Sequence, residues 1–296
     1  MRRSGVWIDY GACVVRVRSP MATFAAQVGL LYRNFRLSRG REFADYHVSV
    51  DFGRGLRRYL RPTCRFGIDG VEPFEPFPVG NALPMFEWGV NWCFAQRGNQ
   101  FVLLHAGVLA RGGRAVIMAA TPGSGKSTLT AAMMLRGYRL LSDEFGVLDP
   151  STGELRPMLK PDALKNRSID VIRGFSPDAV IGPVFCGTRK GDVAHLAPDA
   201  ASAAATGRNA RPALVIFPRF VAGGRLQLKP QPPEQAFSRL AFNSFNYALL
   251  GPVSFHAVAD VAATCPAFEL SYGSLDEAIH CLDDLLDDAR GEADAA

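Results

Sequence analysis

The chain has 296 residues, 48% of them hydrophobic and 21% charged, with a net charge of +5. That balance suits a water-soluble protein of one large domain, or of a large domain with a smaller companion, and excludes a charge-rich disordered chain. No apolar run reaches the ~18–20 residues that span a bilayer, and the N-terminal "MRRSGVWIDYGACVVRVRS" has no uninterrupted apolar stretch behind its arginines, so neither a membrane span nor a secretory leader is expected and the expected location is cytoplasmic.

In chain order, residues 6–18 read as two short strands turned at Gly11, and residues 20–34 as a helix. Residues 46–68 hold two or three strand candidates. "VEPFEPFPVGNALP", 71–84, reads as an extended connector because of its prolines. "LPMFEWGVNWCFAQRG" follows as a helix whose apolar face includes Phe86, Trp88 and Trp92. A soft boundary near residue 80 separates a small α+β N-terminal region, 1–80, from the domain 81–296.

From residue 101 the pattern sharpens. "FVLLHAGVLA" is a buried strand, "RGG" a tight turn and "RAVIMAA" the returning strand. The loop "TPGSGK" and the helix "STLTAAMMLR" come next, with Gly137 closing the helix. "YRLLS" is a strand that delivers Asp143 and Glu144, "FGVLD" continues it, and "PSTGE" turns. The segment 192–211, small and polar, reads as a mobile loop. Further strands are expected at "PALVIFPRF", "RLQLKP" and "PAFELSY", with helices around 233–249, 253–263 and 274–286.

The six cysteines form no CxxC pair and match no zinc spacing, so they read as buried or inert thiols. The first 65 residues are arginine-rich and the last twenty acidic. With no base-stacking motif, zinc finger or basic block, the basic half reads as a solvated face, and no nucleic-acid partner is expected.

The chemistry concentrates at Ala120-Thr121-Pro122-Gly123-Ser124-Gly125-Lys126-Ser127, a variant of G-x-x-x-x-G-K-[ST] with alanine first. A strand feeds the loop and a helix leaves it. Gly123 and Gly125 allow positive φ and close approach to phosphate, and the loop amides converge on an anion at the helix N-terminus. Lys126 reaches the β- and γ-phosphates, and the Ser127 hydroxyl ligates Mg²⁺. Alanine at 120 fits if its φ stays negative. Thr121 through Thr128 are thus the expected nucleotide-binding residues, and ATP with Mg²⁺ the expected cofactors. Adjacent carboxylates on a strand end point in different directions, so one of Asp143 and Glu144 can face the metal and the other an acceptor hydroxyl. His105 lies in the strand before the hairpin, which can carry it to the phosphates.

With these residues in place, "LLHAGVLARGGRAVIMAATPGSGKSTLTAAMMLRGYRLLSDE" resembles the catalytic domain of HPr kinase/phosphorylase. The blocks "EFADYHV", "FEWGVNWC", "LHAGV", "PGSGKST", "LLSDE", "LKNRSIDVI", "KGDVAHLAP", "FPRF" and "SFNYALLG" are similar to the HPr-kinase-related kinase family A associated with exosortase systems. The resemblance covers nearly the whole chain and is specific over 101–173. It implies a P-loop fold of the HPr-kinase or PEP-carboxykinase type, a mixed α/β sheet flanked by helices. It implies Asp143 as proton acceptor for a serine hydroxyl, Glu144 as the acid assisting the metal with Ser127, and His105 as an active-site histidine, so that Asp143, His105 and Lys126 are the catalytic set. It also implies a small protein or peptide as phosphate acceptor and a homo-oligomeric state. The chain departs from the HPr kinase signature at Lys165, which stands at a glutamate, and at Glu144, which stands at an aspartate. "KGDVAHL" has two readings: a mobile loop that carries Lys190 and His195 to the phosphates, or a solvated turn. The alternative function is a nucleotide-binding scaffold or switch without phosphotransfer in an exosortase- or polysaccharide-associated system.

Overall fold

A computed structural model describes residues 1, 4–38, 40, 43–55, 60–121 and 123–294, with side chains through residue 288. In chain order β1 (Val6–Asp9), β2 (Val14–Arg18), α1 (Ala22–Leu31), β3 (Tyr46–Phe52), β4 (Thr63–Ile68), β5 (Phe77–Pro78) and α2 (Ala82–Arg97) come first. There follow β6 (Val102–Arg111), β7 (Arg114–Ala119), α3 (Lys126–Leu135), β8 (Arg139–Ser142), β9 (Phe145–Leu148) and β10 (Leu155–Arg156). Next are β11 (Asp162–Lys165), α4 (Arg167–Phe175), β12 (Phe185–Thr188), β13 (Gly191–Leu196) and α5 (Ala200–Ala204). The last group is β14 (Arg211–Phe220), β15 (Gln227–Gln231), α6 (Pro233–Phe242), α7 (Tyr247–Leu250), α8 (Pro252–Thr264), β16 (Ala267–Tyr272) and α9 (Leu275–Asp294). The fold is mixed α/β. Among the described residues no helix is long and apolar enough to cross a membrane.

The chain forms two compact units, Met1–Gly98 with Lys160–Thr206, and Asn99–Leu159 with Gly207–Ala296. This division cuts the chain elsewhere than at residue 80. The first unit keeps α2, and the chain returns to it at Lys160. The return is fastened by charge: Lys160 Nζ lies 3.1 Å from the buried Glu87 carboxylate and donates to the Glu87 carbonyl at 2.6 Å. Tyr32 donates to the same carboxylate at 2.8 Å.

In the first unit β1 to β5 form a sheet in chain order. β1 and β2 are antiparallel, and β2 and β3 parallel across α1. Phe86 of α2 is buried, whereas Trp88 is half-buried and Trp92 39% exposed. The two tryptophans do not complete the apolar face expected of them. Their rings instead cover the connector, Trp88 against Phe77 and Trp92 against Phe74. The segment 192–211 differs from the expected mobile loop. Gly191–Leu196 is the central strand of a second sheet, β11-β13-β12, and α5 follows. The Asp199 carboxylate accepts from the Ser202 N–H at 2.6 Å and caps that helix, which is how so polar a stretch acquires order.

The second unit is built on one sheet, ordered β10-β9-β6-β7-β14-β16-β15, with β8 also paired to β6. β14 runs parallel to both β7 and β16, while β6 runs antiparallel to β7. These strands are buried on both faces and read as apolar runs for that reason. Val102, Leu104, Ala106, Val108, Ile117, Ala119, Val215 and Phe217 share one cluster with Ala236 and Leu240 of α6 and Val258, Val261 and Ala262 of α8. Side chains alternate along a strand, so the intervening residues face the other way, toward α3. Gly107 shows this directly: a Cβ there would lie 2.5 Å from the Thr130 hydroxyl of α3.

Candidate functional site

The loop between β7 and α3 leaves the sheet at Ala120, which is buried. Gly123 and Gly125 hold φ of +88° and +90°. Pro122 lies outside the described residues. Two bonds fix which way the loop faces. The Phe220 N–H donates to the Ser124 carbonyl at 2.8 Å, and the Tyr272 hydroxyl donates to the Gly125 carbonyl at 3.1 Å. Burial pushes the Tyr272 phenol well above its ordinary pKa, so it stays a donor. With these carbonyls tied to β14 and β16, and the Ser124 N–H bonded to the Thr121 carbonyl at 3.3 Å, the amides of the first helical turn are left to point elsewhere. No side chain caps α3 at Gly125, and the first N–H groups of a helix have no partner within it. The helix ends as expected at Gly137. Its N–H bonds the Met134 carbonyl, and the Tyr138 N–H bonds that of Met133, the double bond of a left-handed glycine terminus.

Lys126 opens α3 and is buried together with Asp143. Its ammonium donates to the Asp143 carbonyl and lies 3.7 Å from Oδ1 of the same residue. Ser127 donates to Asp143 Oδ2 at 3.4 Å. Thr128 follows in the same turn. One carboxylate therefore holds the two side chains that a phosphate loop would turn to an anion and its metal. Glu144 points elsewhere. Its Oε1 lies 3.9 Å from His105 Nε2, and both side chains are about one-third exposed or less. The His105 ring also packs on Phe245, whose own ring meets Phe145.

A break in a strand makes this divergence. β8 and β9 both pair with β6, and Val108↔Ser142 and His105↔Phe145 belong to one register. Asp143 and Glu144 are the bend between them. The Ser142 hydroxyl accepts from the Glu144 and Phe145 N–H groups at 3.3 and 3.0 Å, replacing the strand bonds lost there. Continued across the bend, the register sets Asp143 opposite Gly107, on the α3 face, and Glu144 opposite Ala106, on the α6–α8 face.

Beyond Ala119, where β7 leaves β6, the segment after α6 takes its place. The His105 N–H donates to the Asn243 carbonyl at 2.5 Å, and the Phe245 N–H to that of Leu103 at 2.8 Å. Asn246 fastens the segment with its side chain, accepting from the Leu103 N–H at 3.0 Å and donating to the Phe101 carbonyl at 2.9 Å. A cleft of about 730 Å³ opens between this segment and the loop, walled by Ala120, Ser124, Arg219, Phe220, Arg239 and Phe242. Arg239 is held over the Phe217 ring at 3.7 Å and paired with Glu269 at 3.1 Å.

The loop, Lys126, Ser127, the two acids and His105, the residues expected to form one site, all sit in the second unit. Lys165, Lys190 and His195 belong to the first unit. There His195 is buried in β13, and Lys190, in the β12–β13 turn, lies over the Trp88 ring at 5.5 Å. Tyr272, Phe220, Asn243 and Asn246 escaped sequence reasoning. "FNSFNYALLG" carries the one local hint, two asparagines among aromatics.

No protein-family model matches the chain, and no curated protein matches it. Among solved structures it is similar to the HPr(Ser) kinase/phosphatase from Coxiella burnetii, at 12% identity over 65% of this chain and 98% of that one, with a TM-score of 0.29. A likeness at that score carries no weight for function, which has to be argued from the site.

Proposed function

We propose that the second unit is an ATP- and Mg²⁺-dependent phosphotransferase, passing the γ-phosphate to a hydroxyl of a small protein or peptide. The serine specificity and the kinship with the exosortase-associated kinases are part of this reading and rest on the resemblance of the sequence blocks. The observation that carries it is the convergence of Lys126, Ser127 and Asp143 at the mouth of a loop with two left-handed glycines. Hydroxyl and carboxylate oxygens suit Mg²⁺, which takes few protein ligands and shares phosphate oxygens. Bound there, the ion would neutralise charge on the phosphates.

The geometry favours an assignment of the acids opposite to the one the resemblance implies. Asp143, within reach of Ser127, is the metal carboxylate. Glu144, beside His105 and on the other face, is the proton acceptor for the hydroxyl. Lys126 moves from the Asp143 carbonyl to the phosphates when nucleotide binds. The test is labelled ATP with Mg²⁺ and the products of neighbouring genes as acceptors, scored by mass spectrometry. Glu144→Gln is expected to keep MgATP affinity within about twofold and to lose ~10²–10⁴-fold in transfer, the usual worth of a general base. Asp143→Asn is expected to raise the Mg²⁺ requirement for nucleotide binding. The reverse pattern would return the acids to the roles implied by resemblance, and ATP binding without any phosphorylated product would select the scaffold reading.

A further inference from the structure

The segment that replaces β7 beside β6 continues into a surface of unusual character. From Leu240 to Ala259, "LAFNSFNYALLGPVSFHAVA", the chain carries no Asp, Glu, Lys or Arg. Its apolar residues divide into two sets. Tyr247, Leu250, Ala257 and Val258 pack into the core of the second unit. Phe242, Phe245, Leu249, Val253 and Phe255 do not: Phe242 is 86% exposed, Leu249 69%, and the other three about half. Single exposed apolar residues are ordinary, but five from one short segment mark an interaction surface. The segment is ordered from within. Ser254 donates to the Tyr247 carbonyl at 2.6 Å, and the Gly251 N–H bonds that same carbonyl at 3.1 Å. The exposed side chains are therefore presented on a fixed frame.

We propose that this surface is the docking site for the polypeptide that supplies the hydroxyl, and that it selects acceptors with apolar side chains flanking the modified residue. The inference rests on the phosphotransferase reading above and deepens it. Three observations fix the occupant. The surface is continuous with the candidate chemistry, since Asn243 bonds His105 through the backbone and Phe245 packs on its ring. Phe242 and Asn243 also wall the cleft that opens onto the loop, so a second copy of this chain seated on them would close that cleft. The surface extends from Phe242 through Phe255, more than a nucleotide base needs, and its lack of charge suits apolar anchors rather than an acidic or basic peptide.

The test uses the full chain with MgADP and two sets of fluorescent serine peptides, one with apolar and one with charged residues around the serine. Binding is read by anisotropy, and transfer from labelled MgATP is read separately. Leu249→Arg sits on the exposed surface, away from the candidate acids and loop. Wild type is expected to bind the apolar set at least tenfold more tightly than the charged set. Leu249→Arg is expected to erase that preference while MgATP affinity and melting temperature stay unchanged. Equal binding of the two sets, or a preference that survives Leu249→Arg, overturns the proposal. So does a fall from dimer to monomer on Leu249→Arg in light scattering, which would make the surface a self-association face, or loss of binding to phosphatidylcholine vesicles, which would make it a lipid face. Apolar-set binding without transfer would leave the docking site standing and sink the phosphotransferase reading.

Discussion

Gly125 and Gly123 sit in one loop with nearly the same φ, yet substitution should separate them. Alanine at either position must hold a left-handed conformation, at a cost of ~1–2 kcal/mol. At Gly123 (φ +88°) a new Cβ meets open space, with nothing within 4 Å. At Gly125 it would lie 2.6 Å from the Tyr272 hydroxyl and 2.8 Å from Phe220 Cβ. Neither neighbour can easily retreat, because Tyr272 is fully buried and the Phe220 N–H is bonded to Ser124. Overpacking of this kind adds ~1–3 kcal/mol. Gly125→Ala should therefore cost ~2–5 kcal/mol and Gly123→Ala only the first part. Hydrogen exchange of the α3 amides measures the difference in the second unit alone. Tryptophan emission is the internal reference, since Trp7, Trp88 and Trp92 all lie in the first unit. Tyr272→Phe in the Gly125→Ala background should recover part of the loss by removing the nearer contact. Equal costs at the two glycines, or no recovery with Tyr272→Phe, would show that β14 and β16 do not brace the loop.

Three further outcomes follow from groups outside the site. Lys160→Met leaves the buried Glu87 carboxylate without its cation and should cost ~3–5 kcal/mol in urea unfolding read by tryptophan emission; Glu87→Leu with Lys160→Met should cost less, because the lone buried charge is gone. The Ser151 hydroxyl, with the Ser151 N–H and Arg156, holds the Asp149 carboxyl below its ordinary range against the opposing effect of burial. A depressed folded pKa gives stability that is present above the unfolded value of ~3.9 and lost as pH falls through the folded one. The stability gap between wild type and Asp149→Asn should thus close below about pH 4 in acid titrations by circular dichroism. In thiol labelling of the native protein, Cys186, which is exposed, should react first; Cys64 and Cys93, buried and pushed up to about 11 and about 12, should react only on unfolding.

What the sequence made legible was local. β6, the tight turn, β7, the loop, α3 and β8 each carry their own signal: apolar runs of strand length, Gly112–Gly113, the glycines of the loop, and Gly137 at the helix end. What it hid was non-local. Nothing near Lys160 announces that its partner is Glu87 in α2, so the return of the chain to the first unit could not be read. "APDAASAAATG" looks like a linker by composition, and only Asp199 at the N-cap marks a helix. Of the thiols read as buried or inert, Cys13, Cys64, Cys93 and Cys265 are buried and Cys281 partly so, while Cys186 is exposed in a hairpin whose outer face is solvated. At the candidate site, residue identities were legible and orientations were not. Tyr272 and Phe220 reach the loop from strands far along the chain, and no pattern of spacing marks a hydroxyl that braces a carbonyl.

The division of labour between the two acids illustrates how far strand geometry can go once register is known. Cross-strand partners share a face of the sheet. Gly107 faces α3, shown by the Thr130 hydroxyl in the path of its absent Cβ, and Ala106 belongs to the cluster shared with α6 and α8. The register on either side of the bend is the same, so the residue opposite Gly107 must face α3 and the next must face α6 and α8. Lys126 and Ser127 are on α3, and Asp143 is the residue that meets them. The uncharged surface from Phe242 to Phe255 lies on the other side, as does Glu144. A slip of one residue between β6 and β8 would exchange the two carboxylates without altering the sequence, because the side-chain period of a strand is two. Motif spacing alone is blind to that choice. The bulge between Val108 and Leu109, where the pairing shifts to Leu140, is the feature that sets it: Leu141 is the extra residue there, and pairing it with Val108 instead would move Ser142 opposite Gly107, carry Asp143 and Glu144 one place along β6 and turn each to the wrong face.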